Sequence, residues 1–169
     1  MNIVIIILMG VAGAGKSTVG TLLARELQWI FYEGDDFHPA ANVRKMKEGI
    51  VLTDNDRKPW LAALRKHLTV LLKNKENAIL ACSALKESYR TVLSVNEEVR
   101  FVYLKGDRKL FERRVNTRQG HFFNPLLLDS QLEILEEPQQ AVVVDSALSP
   151  ADILEKIKER LSFKPSKKQ

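Results

Sequence analysis

Cysteine is almost absent from this chain: Cys82 is the single one in 169 residues. An internal disulfide framework is therefore excluded, and the usage fits a reducing compartment. Long hydrophobic runs are missing too. The opening apolar stretch, Ile3 to Met9, is far too short to span a bilayer. It also lacks the charged flank and small-residue cleavage site of a secretion signal, so the cytoplasm is the expected location. No internal repeat is present, and the one biased segment is the basic tail KPSKKQ, residues 164–169, which is expected to fray. An overwhelming charge of one sign is lacking as well. The net charge is +5, and Lys164, Lys167 and Lys168 of the tail supply three of those five. Scattered basic residues favour a small anionic partner over nucleic acid or a membrane surface. The three histidines show no metal-ligand spacing.

What remains is an ordinary globular composition, 45% apolar and 28% charged. The length predicts one domain over residues 1–163 with a real core. Short β-branched runs alternate with segments of helical period. Strands are predicted at Ile3 to Met9, Trp29 to Tyr32, Ala78 to Cys82, Arg100 to Leu104 and Ala141 to Val144. Helices are predicted at Lys16 to Leu27, Ala40 to Glu48, Asp54 to Lys73, Lys86 to Ser94, Arg108 to Arg118, Leu126 to Leu135 and Pro150 to Leu161. That alternation predicts an α/β fold with a five-stranded parallel sheet. Two stretches break the simple crossover pattern: a two-helix insertion at about residues 36–75, and a lid-like loop at about 115–127 containing RQGHFFNP.

The segment GVAGAGKS, Gly10 to Ser17, matches G-x-x-x-x-G-K-[ST] between a buried strand and an amphipathic helix. Backbone N–H groups of such a loop point inward at phosphate oxygens, and the helix N-terminus adds positive charge. The nucleotide-binding set is thus Gly10, Val11, Ala12, Gly13, Ala14, Gly15, Lys16, Ser17 and Thr18. Lys16 is expected to reach the β- and γ-phosphates of ATP, and the Ser17 hydroxyl to ligate Mg²⁺. A guanine-nucleotide switch is disfavoured. It needs an Asn-Lys-x-Asp base reader, and the nearest stretch is NKEN, Asn74 to Asn77.

A kinase of a small metabolite needs a carboxylate near the acceptor hydroxyl. The third strand ends in Cys-Ser with no acid, so Asp35 or Asp36 of GDDFHP is expected to orient the acceptor, the metal's water, or both. Helix capping competes as an explanation, more strongly for Asp36.

GDDFHP, followed by N-x-x-K-M, LTDNDRKPWL, CSALKESYR, FVYLKGD and RQGHFFNPLLLDSQLEILEEP, resembles the thermoresistant gluconokinase family over Met9 to Pro138. The resemblance implies a P-loop fold of the nucleoside-monophosphate-kinase type, in three layers, and a homodimer. It also implies phosphorylation of D-gluconate by ATP to 6-phosphogluconate, entering the pentose phosphate or Entner–Doudoroff route.

A sugar acid calls for a guanidinium clamp and hydroxyl partners. Arg44 and Arg90 are the two candidates for the clamp, with His38, Ser83, Lys86 and His121 as further substrate contacts. Asp56 and Arg57 are expected to brace the acidic turn from behind, and Asp54 to cap its helix. Arg114 and Arg118, one helical turn apart, are expected to neutralise charge on the transferring phosphoryl group. Phe122 and Phe123 are expected to pack the closed lid. A related reading is a shikimate-kinase-like enzyme, which carries a glycine triplet where CSAL stands here. A nucleotide-binding regulator without catalysis is the alternative outside enzymes.

Overall fold

The computed structural model describes residues 3–117 and 125–162. Five strands form one parallel sheet: β1 (Ile5–Met9), β2 (Ile30–Glu33), β3 (Ala78–Ala81), β4 (Val99–Lys105) and β5 (Val142–Asp145). Their spatial order is β2-β3-β1-β4-β5. Ile7 of β1 stands opposite Leu80 of β3 on one side and Phe101 of β4 on the other. β1 is therefore central and wholly buried, as its unbroken apolar run predicts.

Alternate residues of β1 feed two separate cores, which makes three layers. Ile6 and Leu8 pack with Val19, Leu23 and Ala24 of α1 (Lys16–Leu27), Phe111 of α5 (Arg108–Thr117) and Ile153, Leu154 and Ile157 of α7 (Pro150–Arg160). Ile5, Ile7 and Met9 pack with Trp60, Leu61, Leu64, Leu68 and Leu71 of α3 (Asp54–Lys73), and with Tyr89 and Leu93 of α4 (Glu87–Leu93). The remaining helices are α2 (Ala40–Lys47) and α6 (Pro125–Ile134). Between β2 and α2 the chain makes a single 3₁₀ turn, Gly34–Phe37.

The chain leaves β1 at the point where the strand order reverses, the place where open α/β sheets bind ligands. One sequence detail differs from expectation. Thr53, not Asp54, is the N-cap of α3, and it forms a reciprocal capping box with Asp56. Pro59 lies inside α3 and not in its first turn, where a missing N–H would be harmless. Cys82 is buried directly after β3, and burial pushes its thiol up to about 12, so it is chemically quiet. No helix among the described residues is long and apolar enough to cross a membrane.

Candidate active site

The loop from Gly10 to Gly15 turns β1 into α1. Gly13 and Gly15 adopt φ of 80° and 94°, and a Cβ on Gly13 would lie 2.9 Å from the Phe111 carbonyl oxygen. Glycine is needed there both for conformation and for space. Lys16 opens α1, and its Nζ donates to the carbonyls of Gly10 at 2.9 Å and Val11 at 3.0 Å. The Ala12 N–H donates to Oε1 of Gln131 on α6 at 2.7 Å, tying the loop to that helix.

Ser17 Oγ donates to Glu33 Oε2 at 2.5 Å. Glu33 is the last residue of β2, and the sequence reading passed over it. Burial raises its carboxyl above the usual range; the Ser17 hydrogen bond works against that rise, and the charge on Asp35 adds to it. Gly34 follows, with its backbone so close to β3 that a Cβ would lie 2.5 Å from the Ala81 carbonyl oxygen. That contact explains why glycine precedes the two aspartates: it lets the acidic turn lie flat against the strand end.

The turn and the cradle open onto one cleft of about 540 Å³. Lys16, Ser17 and Glu33 line it, as do Asp35, Asp36 and His38, Arg57 and Trp60 of the α3 side, Ser83 after β3, and Gln131. The Asp35 side chain is 72% exposed, while that of His38 is only 4% exposed. The His38 ring stacks on Trp60 with centroids 4.4 Å apart and planes 10° apart. Trp60 Nε1 in turn donates to the Gly34 carbonyl at 2.8 Å, so indole, imidazole and acidic turn are locked together. Burial lowers the His38 pKa; the charge on Asp35 opposes this and Arg57 reinforces it. Arg57 is held by donation to the Leu52 carbonyl at 2.6 Å and to the Tyr89 hydroxyl at 3.4 Å.

Several predicted substrate contacts lie elsewhere. Arg44 is exposed on α2 and is not among the residues lining the cleft. Arg90 is 4% exposed and bonds the carbonyls of Ala84 and Leu85 and the Glu87 carboxylate. It is a staple of the β3–α4 loop, because a buried guanidinium has to spend its donors on nearby acceptors. Lys86 pairs with Asp54 at 2.9 Å, and Asp54 also accepts from the Tyr89 hydroxyl. Asp54, Lys86 and Tyr89 thus form a brace behind Arg57. Asp56 pairs with Lys45 at 2.8 Å and completes the capping box. Chiefly the Lys45 hydrogen bond, followed by bonds from Thr53, holds its carboxyl down at about 2.

Arg114 also lies away from the main cleft. Its guanidinium donates to the Gly13 carbonyl at 3.2 Å, to Ser146 Oγ at 2.7 Å and to the Ser146 carbonyl at 2.6 Å. With Thr18, Leu148 and Pro150 it lines a second cavity of about 280 Å³ on the outer side of the loop. Arg118, His121, Phe122 and Phe123 lie outside the described residues. Among the described residues no group of three or more His, Cys, Asp or Glu side chains is placed to hold a metal alone. One hydroxyl and one carboxylate beside a phosphate cradle nonetheless match the oxygen donors that Mg²⁺ takes when it is shared with phosphates.

A phosphate-binding loop at the end of a central strand, facing a separate cleft with its own carboxylate, defines a P-loop kinase acting on a small acceptor. The family model described as shikimate kinase matches residues 12–162. The thermoresistant gluconokinase of Escherichia coli is 44% identical over 135 residues, covering 79% of this chain and 77% of that protein. The crystal structure of a gluconokinase from Sinorhizobium meliloti has a TM-score of 0.83 at 41% identity, covering 96% of this chain and 97% of that one. Shikimate kinase from Aquifex aeolicus shares the fold, with a TM-score of 0.61 at 20% identity over 94% of this chain and 96% of its own. The chain belongs to the gluconokinase family, among the P-loop kinases.

Proposed function

We propose that this chain transfers the γ-phosphoryl group of ATP to D-gluconate, giving 6-phospho-D-gluconate. The observation that carries the reading is the shared cleft: Lys16, Ser17 and Glu33 line its phosphate side, while Asp35, His38 and Arg57 line its acceptor side. The acceptor side belongs to the insertion at about residues 36–75 that the sequence sets off from the nucleotide core.

Each residue has a chemical task. The backbone of Gly10 to Thr18 and the Lys16 ammonium hold the phosphates. The Ser17 hydroxyl and the Glu33 carboxylate would hold Mg²⁺, directly or through its water. When bound, Mg²⁺ would neutralise charge on the β- and γ-phosphates. With Glu33 on the metal side, Asp35 is left for the acceptor. There it accepts the proton of the attacking hydroxyl as the new O–P bond forms and the bond to ADP breaks. Arg57, forked and braced from behind, suits the gluconate carboxylate better than the exposed Arg44 or the fully engaged Arg90. The second cavity, with Arg114 on one wall and Pro150 on another, suits the planar adenine of ATP. Arg118, carried by the motif RQGHFFNP, is assigned to the developing charge on the transferring group.

A coupled ADP-release assay with gluconate, shikimate and nucleoside monophosphates as acceptors tests this reading. Turnover that depends on gluconate supports it; turnover on shikimate alone replaces it with the related kinase.

A further inference from the structure

Among the described residues the buried polar or charged side chains are Asn42, Arg90 and Ser146. Arg90 and Ser146 are accounted for by the backbone carbonyls they bond. Asn42, on α2 and 3% exposed, does something else. Its Nδ2 donates to the Asp56 backbone carbonyl at 2.8 Å. A carbonyl oxygen only accepts, so the atom facing it is the amide nitrogen and the orientation of the Asn42 amide is determined. The same Nδ2 lies 3.3 Å from Nδ1 of His38.

An amide nitrogen has two protons and no usable lone pair, so towards His38 it can only donate. Nδ1 must then be the accepting nitrogen, and the ring proton is on Nε2. Nε2 faces the Asp35 carboxylate at 3.9 Å, beyond direct hydrogen-bonding reach. That gap opens on the cleft where Asp35 and His38 both line the wall. The groups around the imidazole are Asn42 from α2, Trp60 and Arg57 from α3, and Asp35 from the 3₁₀ turn. The Lys45–Asp56 pair stands behind Asn42. Burial and the charge on Arg57 disfavour an imidazolium, and the charge on Asp35 opposes them.

We propose that Asn42 is a positioning residue for phosphoryl transfer: it holds His38 in the Nε2–H tautomer, so that the imidazole offers a fixed donor to the acceptor oxygen beside Asp35. The proposal rests on the reading of Asp35 as the acceptor-side carboxylate. His38 then gains and loses no proton in the cycle. Its N–H occupies a lone pair of an acceptor hydroxyl, which leaves that hydroxyl's own proton aimed at Asp35. The proton passes to Asp35 as the O–P bond to the acceptor forms and ADP leaves. A His38 with its proton on Nδ1 would present a lone pair in the cleft and compete with Asp35 for the same hydroxyl proton.

The tautomer is read directly by long-range ¹H–¹⁵N correlation of the histidine rings in the intact ¹⁵N-labelled chain, without substrate. The three histidines are assigned by single substitutions to glutamine. The expected spectrum has an unprotonated Nδ1 and a protonated Nε2 on His38, persisting below the ordinary histidine pKa of about 6.5. A protonated Nδ1 or a mixture of tautomers overturns the proposal. Asn42→Asp supplies the functional arm, because a carboxylate of nearly the same shape accepts from Nδ1 and reverses the ring's polarity. Its kcat is expected to fall ~10-fold or more while the KM for ATP stays within ~2-fold. The loss should shrink as pH falls, because the new carboxylate raises the His38 pKa and the imidazolium regains a proton on Nε2. A folded Asn42→Asp with unchanged kcat and pH profile overturns the proposal. If that variant does not fold, the wild-type spectrum decides alone. Absence of gluconate turnover in the wild type would instead defeat the functional reading and leave the tautomer measurement standing.

Discussion

Ser17 of the phosphate loop and Glu33 at the end of β2 are joined by a 2.5 Å hydrogen bond from hydroxyl to carboxylate. The bond links the nucleotide cradle to the strand that carries the acceptor turn, and it puts a hard oxygen pair where phosphate charge collects. Glu33→Gln keeps an acceptor for Ser17 but removes the charge. Turnover should fall ~10²-fold, with a higher Mg²⁺ concentration needed for half-maximal rate. A normal Mg²⁺ dependence would remove Glu33 from the metal's surroundings.

The same substitution has a pH signature. Burial raises the Glu33 pKa in the folded chain, so the folded state holds its proton to higher pH than the unfolded state does. Stability is therefore lost as pH rises from the unfolded value through the folded one. Glutamine lacks this penalty. In the absence of nucleotide and metal, Glu33→Gln should match the wild type in Tm at acid pH and exceed it at neutral pH. Calorimetry across that window checks the sign; a variant less stable at neutral pH contradicts it.

Arg57 and Arg44 should separate cleanly in kinetics. Arg57→Lys keeps the charge but loses the fork and the bracing by Leu52 and Tyr89, so the KM for gluconate should rise ~10-fold with little change for ATP. Arg44→Ala, exposed and outside the cleft lining, should stay within ~2-fold of wild type. The reverse ranking would return the carboxylate clamp to Arg44.

Arg114→Ala removes the bonds to Gly13 and Ser146 that shape the second cavity. The KM for ATP should rise ~10-fold, more than the KM for gluconate. A fall in kcat at unchanged ATP KM would instead give Arg114 the charge-neutralising task expected from its sequence.

Arg90→Met leaves the carbonyls of Ala84 and Leu85 without their donor inside the core edge. Unfolding in urea should show a loss of about 2–3 kcal/mol, with the KM for gluconate unchanged. A large KM effect at normal stability would mark Arg90 as a substrate contact.

Much of this architecture is legible in the chain because it rests on local signals. β1 declares itself by an unbroken apolar run, and GVAGAGKS by spacing that only a phosphate loop needs. Lys16–Leu27 and Asp54–Lys73 fall where their periodicity predicts. The site is less legible because roles there depend on long-range packing. Glu33 reads as one more residue at a strand boundary, and only its hydrogen bond from Ser17, sixteen positions away, reveals that it faces the phosphate loop. Arg90 and Lys86 share a helical face in sequence, but nothing local reveals that one is buried against carbonyls and the other paired with Asp54 thirty-two positions away. Asn42 is legible only once Asp56, on another helix, determines its amide.

Asp35→Asn keeps the turn and removes the base. Its kcat should drop ~10² or more while ATP binding, followed by titration of a fluorescent nucleotide, persists. A near-normal kcat would leave Asp35 with a turn-forming task only.

The central claim is the transfer itself, and ³¹P NMR of the chain with Mg²⁺, ATP and gluconate reads it most directly. The account predicts loss of the γ-phosphate resonance matched by equal growth of ADP and of a phosphomonoester on the sugar acid. Growth of inorganic phosphate alone, or no change until shikimate replaces gluconate, would contradict it.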